Sequence, residues 1–441
     1  MDFDSVMPSE VHYQSIKSLA DCKRTTLTLN SESGNVFTAP GSVVRFTVPS
    51  FLGGFIDFNG ASIIGRVAWT GAITASRPFA LLANGYSLFD NVVTSIGGTK
   101  LENLQHPSLS LQMNHELFSS TAELFGQSSQ LLLDTSAVNA GGVCGRLFNT
   151  GTGPGQLAAS FALPLMGCLG DCQQYLPSIA EITLELTVAD IIGRKIIDLI
   201  PATSSLPTGF SLTELALVVD IVKFSDPSYY AQITSAPISV RTSTTLYNSS
   251  PLATGTTGIV DINLLSRAIS CKRLMYRFSS ALDSTTGIYS SSNPNSRSAC
   301  VYIGTDTFPN VPIKTSLPAV CKFFQARATG SVSSHAHPGS QTHSNFCVRN
   351  VPDAHHTVTV VPTSVTTRLS TSNWSLVVDL ESLTSGKDDL WTGTSIQASS
   401  AAFLRLEIVD PLSCVMTVHS MTVADAVISL DPVSGTARLI Y

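Results

Sequence analysis

Residues 161–186 (FALPLMGCLGDCQQYLPSIAEITLEL) have the pattern of two β-strands separated by a glycine-containing break. Within the second strand, residues 182–187 (ITLELT) alternate apolar and polar side chains, which is the period of a strand with one buried face. Pro164 and Pro177 are expected at strand ends, because proline cannot donate a hydrogen bond to a neighbouring strand. The segment is therefore predicted to form two strands joined by a loop of defined structure. It carries no pattern of catalytic residues.

Short strand patterns recur along the chain, with turn residues between them. Apolar residues at helical spacing predict a helix at 109–125, and a second helix is predicted at 318–328. Each lies in a long connection between predicted strands. Strands and helices do not alternate as in a parallel βαβ fold. The sequence predicts an all-β protein of two tandem antiparallel β-sandwiches with short helices in the long loops. The predicted limits are an N-terminal arm at 1–24, a first sandwich at 25–203, a Pro/Gly/Ser-rich linker at 204–210 and a second sandwich at 211–441.

The composition is poor in charge. Charged residues make up 13% of the 441 residues and apolar residues 43%, whereas about a quarter of the residues in ordinary soluble proteins are charged. No apolar run approaches the roughly 18 residues of a membrane-spanning helix. A surface poor in Lys and Glu suits a molecule that packs against copies of itself, although an extracellular Ser/Thr-rich β-protein has the same composition. A secretory signal begins with a basic region followed by an apolar one, and the N-terminal sequence shows neither. No secretory signal is therefore predicted.

Charge and cysteine content limit the classes of function. The formal net charge is −6, and neither terminus carries a basic run that could neutralise nucleic-acid phosphates. We therefore expect no direct nucleic-acid binding by a basic arm. The nine cysteines are odd in number and widely spaced, which favours free thiols in a reducing compartment over a disulfide framework. Cys168 and Cys172 are predicted to be buried or subunit-facing thiols, because only Asp171 lies near them as a further metal ligand.

Motifs of enzymes and cofactor sites are missing. The sequence has no G-x-S-x-G nucleophile elbow, no phosphate-binding glycine loop and no H-E-x-x-H zinc motif. No catalytic residue, cofactor or metal site is therefore predicted. Trp69, Trp374 and Trp391 are interpreted as anchors of a core or an interface.

One histidine cluster leaves two interpretations open. Its members are His335, His337, His343, His355 and His356, with Cys347 among them. Imidazole and thiolate are the ligands that zinc prefers, but the spacing fits no known closed zinc site. The flanking Ser, Thr, Pro and Gly residues favour an exposed or interface loop instead, where histidine charge could make a contact sensitive to pH.

Two motifs in the right order resemble those of a known family. The first is segment 161–186, marked by Pro164, Leu165, Tyr175, Leu176 and Pro177. The second is 304–313 (GTDTFPNVPI), marked by Gly304, Phe308, Pro309 and Pro312 and followed by the predicted helix at 318–328. Residues 84–101 provide a weaker third match, and 376–380 and 403–409 resemble the closing strands of that family. Together they resemble the double jelly-roll major capsid proteins of polinton-like viruses, virophages and adintoviruses.

The resemblance implies a structural, non-enzymatic protein. It implies two eight-stranded jelly rolls side by side, homotrimers with a nearly hexagonal outline, and an icosahedral shell around a double-stranded DNA genome. The implied partners are other copies of the chain and penton or minor capsid proteins, and the implied location is the virion, after synthesis in the host cytoplasm or nucleus. Two alternatives remain at this stage: an extracellular β-sandwich adhesin or lectin-like protein, and a single jelly-roll capsid protein with a projecting domain.

Overall fold

A computed structural model describes most of the chain. The described residues are 22–50, 54–71, 79–118, 130–132, 144–148, 157–198, 207–280, 289, 291, 294, 296–315, 357–360, 365–368, 374–381, 393–396 and 401–441. The predicted arm up to residue 21, the predicted helix at 318–328, the histidine cluster and Trp391 lie outside the described residues. The described residues form two antiparallel β-sandwiches, called here the first roll and the second roll.

The first roll contains two main sheets. Its strands are β1 (Cys22–Asn30), β2 (Val36–Phe37), β3 (Val43–Val48), β4 (Gly54–Thr70), β5 (Phe79–Leu82), β6 (Phe89–Ile96), β7 (Thr99–Gln105), β8 (Cys144–Phe148), β9 (Ala158–Pro164), β10 (Leu176–Pro177), β11 (Ile182–Val188), β12 (Ile196–Asp198) and β13 (Gly209–Phe224). One sheet has the order β1-β13-β4-β10, with β2 beside β13 and β9 beside β4; the other has the order β3-β11-β6-β7. A small sheet, β12-β5-β8, adds to them. The helices are α1 (Pro107–Phe118), α2 (Ile191–Arg194) and α3 (Pro227–Ile233), with a 3-10 turn at Gly85–Leu88.

The alternating strands bury one face, as their sequences predict. In β11, Ile182, Leu184 and Leu186 are buried while the residues between them are partly exposed. Its neighbour β3 buries Val44 and Phe46 in the same way. The two inner faces meet in one apolar core, which is how antiparallel sandwiches are stabilised.

The second roll has the same plan. Its strands are β14 (Ile238–Leu252), β15 (Gly258–Asn263), β16 (Ala268–Ser280), β17 (Ser296–Ile303), β18 (Asp306–Ile313), β19 (Thr357–Val360), β20 (Val365–Arg368), β21 (Ser375–Asp379), β22 (Thr394–Ile396), β23 (Ala402–Ile408), β24 (Met416–Asp431) and β25 (Thr436–Ile440). One sheet has the order β14-β24-β16-β21, with β22 beside β16 and β25 beside β24; the other has the order β15-β23-β17-β18. Strands β19 and β20 form a separate pair.

The strand orders show that the fold is repeated. In each roll the first strand lies at the edge of the larger sheet and pairs with a long strand near the end of that roll, β13 or β24, and the four-stranded sheets β3-β11-β6-β7 and β15-β23-β17-β18 have equivalent connections. The last two strands of each four-stranded sheet form a hairpin with a tight turn, at Gly97-Gly98 and at Gly304-Thr305. Gly97, Gly98 and Gly304 have positive φ, the backbone conformation that such turns require. The chain is thus a tandem of two jelly rolls, although its halves share no evident sequence pattern.

The predicted domain limits differ from the pairing of the strands. Strand β13, which follows the predicted linker at 204–210, pairs with β1 and β4 in the first roll. Sheet pairing therefore places the passage between rolls after Phe224, at α3. A Pro/Gly/Ser-rich stretch marks a turn between strands as well as a linker, and here the strand after it returns to the first sheet. Strand β1 begins at Cys22, inside the predicted arm.

The helix predicted at 109–125 is present in its described part. Helix α1 begins at Pro107, a residue favoured in the first turn because its missing N–H needs no partner there. It continues to Phe118, and the rest of the predicted span lies outside the described residues. Among the described residues, no helix is both long and apolar enough to span a lipid bilayer.

Candidate functional site: the interface between the rolls

The two rolls share buried apolar contacts. The first-roll core extends into the second roll through Val240, Ile428, Leu430 and Ala437. A separate cluster joins Leu109 and Met113 of α1 to Met275, Val377 and Met421 of the second roll. Burial of apolar surface on both sides stabilises this contact. The interface therefore holds the two rolls together as one packed unit.

A buried glutamate lies at the contact between the two rolls. Glu102 of β7 is 7% exposed, and its Oε2 accepts a hydrogen bond of 2.6 Å from the backbone N–H of Cys168. Its Oε1 accepts a hydrogen bond from the hydroxyl of Thr244 in β14 of the second roll. Burial raises the pKa of Glu102, since water no longer stabilises the charged form. Its contribution to stability is therefore present at low pH and is lost as the pH rises through the raised pKa.

The loop between β9 and β10 meets the edge strand of the second roll. The backbone N–H of Gln173 donates a hydrogen bond of 3.0 Å to the carbonyl of Arg241 in β14. The Thr242 hydroxyl donates to the Cys168 carbonyl, and the Ser243 hydroxyl donates to the Asp171 carboxylate. An edge strand leaves backbone groups unpaired, and this loop satisfies part of the β14 edge.

Cys168 and Cys172 are free and buried, in agreement with their predicted state. The Cys172 Sγ donates a hydrogen bond of 3.1 Å to the Cys168 carbonyl. Burial raises the pKa of Cys172 to about 12 and the pKa of Cys168 well above its usual value. The thiolate is the nucleophile and the metal ligand, so at neutral pH these groups serve as packing atoms.

A buried histidine also lies at the interface. His419 of β24 is 3% exposed; its Nδ1 is 2.8 Å from the Tyr247 hydroxyl and its Nε2 is 2.7 Å from the Ser279 hydroxyl. The ring of His106, from the first roll, lies 4.8 Å from the ring of Tyr247 between centroids. Burial above all, with the nearby His106 and Arg277, lowers the pKa of His419 to about 4. His419 is therefore neutral at physiological pH.

The residues that carry the family resemblance lie in two separate places. In the first roll, Pro164 ends β9 and its carbonyl accepts a 2.6 Å hydrogen bond from the Tyr86 hydroxyl. Leu165, Leu176 and Pro177 are buried, and Tyr175 is exposed. In the second roll, Gly304 occupies the hairpin turn, Phe308 packs on the core, and Pro309 and Pro312 lie in β18. The structure does not bring the two sets together, and their role as a family signature stays a prediction.

The other described residues predicted to be anchors lie in the cores. Trp69 packs edge-on against Phe79 and Phe148 in the first roll. Trp374 packs against Phe278 in the second roll. Aromatic side chains of this size contribute strongly to core stability.

Equivalent ion pairs lie on the outward faces of the two four-stranded sheets. In the first roll, Arg45 of β3 donates a 2.8 Å hydrogen bond to Glu185 of β11. In the second roll, Arg405 of β23 donates two hydrogen bonds, of 2.7 and 2.8 Å, to Asp261 of β15, and its guanidinium lies 4.7 Å from the centroid of the Tyr302 ring. The strands are equivalent, but the positions of the positive and negative residues are reversed.

Replacing Gly97 with alanine is expected to weaken the contact between the rolls. A Cβ at Gly97 would lie 2.1 Å from the Gly435 carbonyl oxygen, in the turn between β24 and β25. Its positive φ adds a conformational cost, so we expect the free energy of unfolding to fall by about 2 kcal/mol or more. Urea unfolding measures the loss. Gly98→Ala is the matched control, because Gly98 also has positive φ but its added Cβ would meet no atom within 4 Å. Equal losses in both variants would contradict a role for the contact.

The described residues form no recognisable metal site. Among them, no group of three or more His, Cys, Asp or Glu side chains is arranged to hold a metal ion. The buried side chains of Glu102 and His419 instead bond to nearby hydroxyl groups and, for Glu102, to the backbone. Sequence patterns did not identify Glu102, His106 or His419, because each is one polar residue whose partners are distant in the chain.

Solved capsid structures share this fold over nearly the whole chain. A chain of the PBCV-1 virus capsid matches with a TM-score of 0.61 and 13% identity, covering 98% of this chain and 99% of that chain. The Faustovirus major capsid protein matches with a TM-score of 0.60 and 9% identity, covering 96% and 93%. The mavirus major capsid protein matches with a TM-score of 0.51 and 11% identity, covering 99% and 95%. No sequence family and no curated protein sequence matches the chain. The predicted double jelly roll is confirmed.

Proposed function

We propose that the protein is a viral major capsid protein, a structural subunit of an icosahedral shell. The observation that carries this proposal is the double jelly roll itself, which matches a chain of the PBCV-1 capsid over 98% of the chain. The buried interface supports it, because a lattice subunit needs its two rolls in a fixed arrangement. Fold alone does not determine function, so assembly is the property to measure.

The proposed assembly unit is a homotrimer. Three copies of a two-roll chain place six similar rolls around one axis, which gives a nearly hexagonal outline. A threefold ring is a closed symmetric assembly, so it does not grow into a filament. The low charged fraction of 13% supports a surface that packs against other copies.

The proposed cargo is a double-stranded DNA genome, and the proposed location is the virion. Penton and minor capsid proteins are the further proposed partners, with synthesis in the host cytoplasm or nucleus. The net charge of −6 disfavours direct binding of the protein to nucleic-acid phosphates. A non-enzymatic role is supported by the capsid proteins that share this fold.

The purified protein is expected to form trimers with a near-hexagonal outline, or closed shells. Light scattering after size-exclusion chromatography measures the mass, which should be three times that of the chain for the trimer and many times larger for a shell. Negative-stain electron microscopy shows the outline. A protein that remains a monomer at every concentration and salt condition contradicts the proposal.

A further inference from the structure

Within one chain, one side of the first roll contacts the edge strand of the second roll. That side consists of β7 and the loop between β9 and β10. It contacts β14 through the hydrogen bonds from Thr244 to Glu102 and from Gln173 to Arg241. Strand β14 is the edge of its sheet, where it pairs with β24 alone. The contact is therefore between the side of one sandwich and the edge strand of the next.

The equivalent side of the second roll is open in the described part of the chain. Strand β18 is equivalent to β7 by its place in the four-stranded sheet, and β21 lies at the edge of the neighbouring sheet. A groove of about 390 Å³ lies between them, lined by residues 308–311 and 313 of β18 and by Val378, Asp379 and Glu381. Val311 in this groove is 70% exposed. Both strands are edges of their sheets, and an unpaired sheet edge is where a further strand can add.

The equivalent of β14 in the first roll is β1. Each is the first strand of its roll and pairs with a long strand near the end of that roll, β24 for β14 and β13 for β1. All nine residues of β1 are exposed or partly exposed, and the strand is the edge of its sheet. Its outer backbone groups are available to another strand.

Charges on the two surfaces are complementary. The groove carries Asp379 and Glu381, and the start of β1 carries Lys23 and Arg24. Both surfaces are partly neutralised, since Arg24 bonds to Asp220 in its own roll and Glu381 lies 3.9 Å from Lys272. Complementary charge of this kind favours one partner and one orientation more than it adds affinity.

We propose that the groove between β18 and β21 of one copy receives β1 of a second copy. The contact between the rolls of one chain is then repeated between chains. Each copy has one groove and one β1. In a ring of three copies, every groove therefore binds the β1 strand of a neighbouring copy. This inference rests on the proposed trimer and names the surfaces that form it.

Site-directed cross-linking tests the contact. Cys22 is a free, exposed cysteine in β1, and Val311→Cys places a second thiol in the groove. A bismaleimide reagent, added to the assembled protein, should join Cys22 of one copy to residue 311 of the next. Denaturing gels should then show dimers and trimers at about ten times the amount seen in the controls.

The controls separate this contact from chance cross-linking. Ile259→Cys has matched exposure, because Ile259 is 71% exposed, but it lies on β15 outside the groove. Cys22→Ser in the Val311→Cys background should abolish the cross-linked bands. Trimers that cross-link no better through residue 311 than through residue 259 would overturn the groove assignment and leave the trimer intact. A wild-type protein that is monomeric would overturn both proposals.

A charged residue in the groove gives a second test. Val311→Asp should weaken self-association by about tenfold or more, while the melting curve of the monomer stays unchanged because the side chain is exposed. Ile259→Asp should leave both properties unchanged. Trimer formation by Val311→Asp as strong as that of the wild type would overturn the inference.

Discussion

Acidification from about pH 7 to about pH 4 is expected to reduce the free energy of unfolding by about 3 kcal/mol through His419 alone. The folded protein holds the pKa of this imidazole at about 4, whereas the unfolded chain has a histidine pKa of about 6.5. The contribution is complete above the unfolded value and is lost as the pH falls through the folded value. Its physical cause is the burial of a charge among Tyr247, Ser279, His106 and Arg277.

Urea unfolding of the wild type and of His419→Gln across this pH range measures the effect. Glutamine keeps a donor and an acceptor for the Tyr247 and Ser279 hydroxyls but does not titrate. Glu102 and Asp171 have raised pKa values and act in the opposite direction; they are present in both proteins, so the difference between the two curves isolates His419. Parallel curves would contradict the assignment.

Replacing Trp374 with alanine is expected to have the largest effect of any single truncation, a loss of about 4 kcal/mol. The side chain is 1% exposed, and its ring lies 5.2 Å from the Phe278 ring between centroids. Removal of the indole leaves a cavity in the second-roll core, where Trp374 packs among buried residues of both sheets.

Chemical denaturation of the monomeric protein measures this loss. Trp374→Phe is the matched control, since a benzene ring retains most of the contact with Phe278, and we expect it to lose less than half as much. A loss in Trp374→Ala below about 1 kcal/mol would contradict the placement of this residue in the second-roll core.

The strands were predictable because their burial is local and periodic. The alternation of residues 182–187 is visible without a partner, and the structure buries its apolar face as expected. The assignment of β13 was not predictable in this way. Its pairing with β1 joins residues as far apart as Cys22 and Phe224, and no local pattern identifies the partner of a strand. The resemblance to capsid proteins predicted the tandem arrangement, but not the point where one roll ends.

The interface between the rolls could not be predicted from the sequence, because its contacting residues are far apart in the chain. Glu102 and Thr244 are 142 residues apart, and Tyr247 and His419 are 172 residues apart. Each reads as an ordinary polar residue in or beside a strand. The prediction that Cys168 and Cys172 are free thiols is confirmed; it could be made because the lack of further metal ligands beside them is visible in the local sequence. Their contact with the second roll is a product of the tertiary fold.

The ion pairs on the two four-stranded sheets, with their charges reversed, affect which strands can pair during folding. In a chain with two rolls of the same topology, a strand of one roll could pair with the sheet of the other. If β3 paired with β23 in place of β11, Arg45 would lie beside Arg405. If β15 paired with β11, Asp261 would lie beside Glu185. Like charges directly opposite on neighbouring strands are destabilising. The reversed charges of the two rolls therefore disfavour pairing between the edge strand of one half and the sheet of the other.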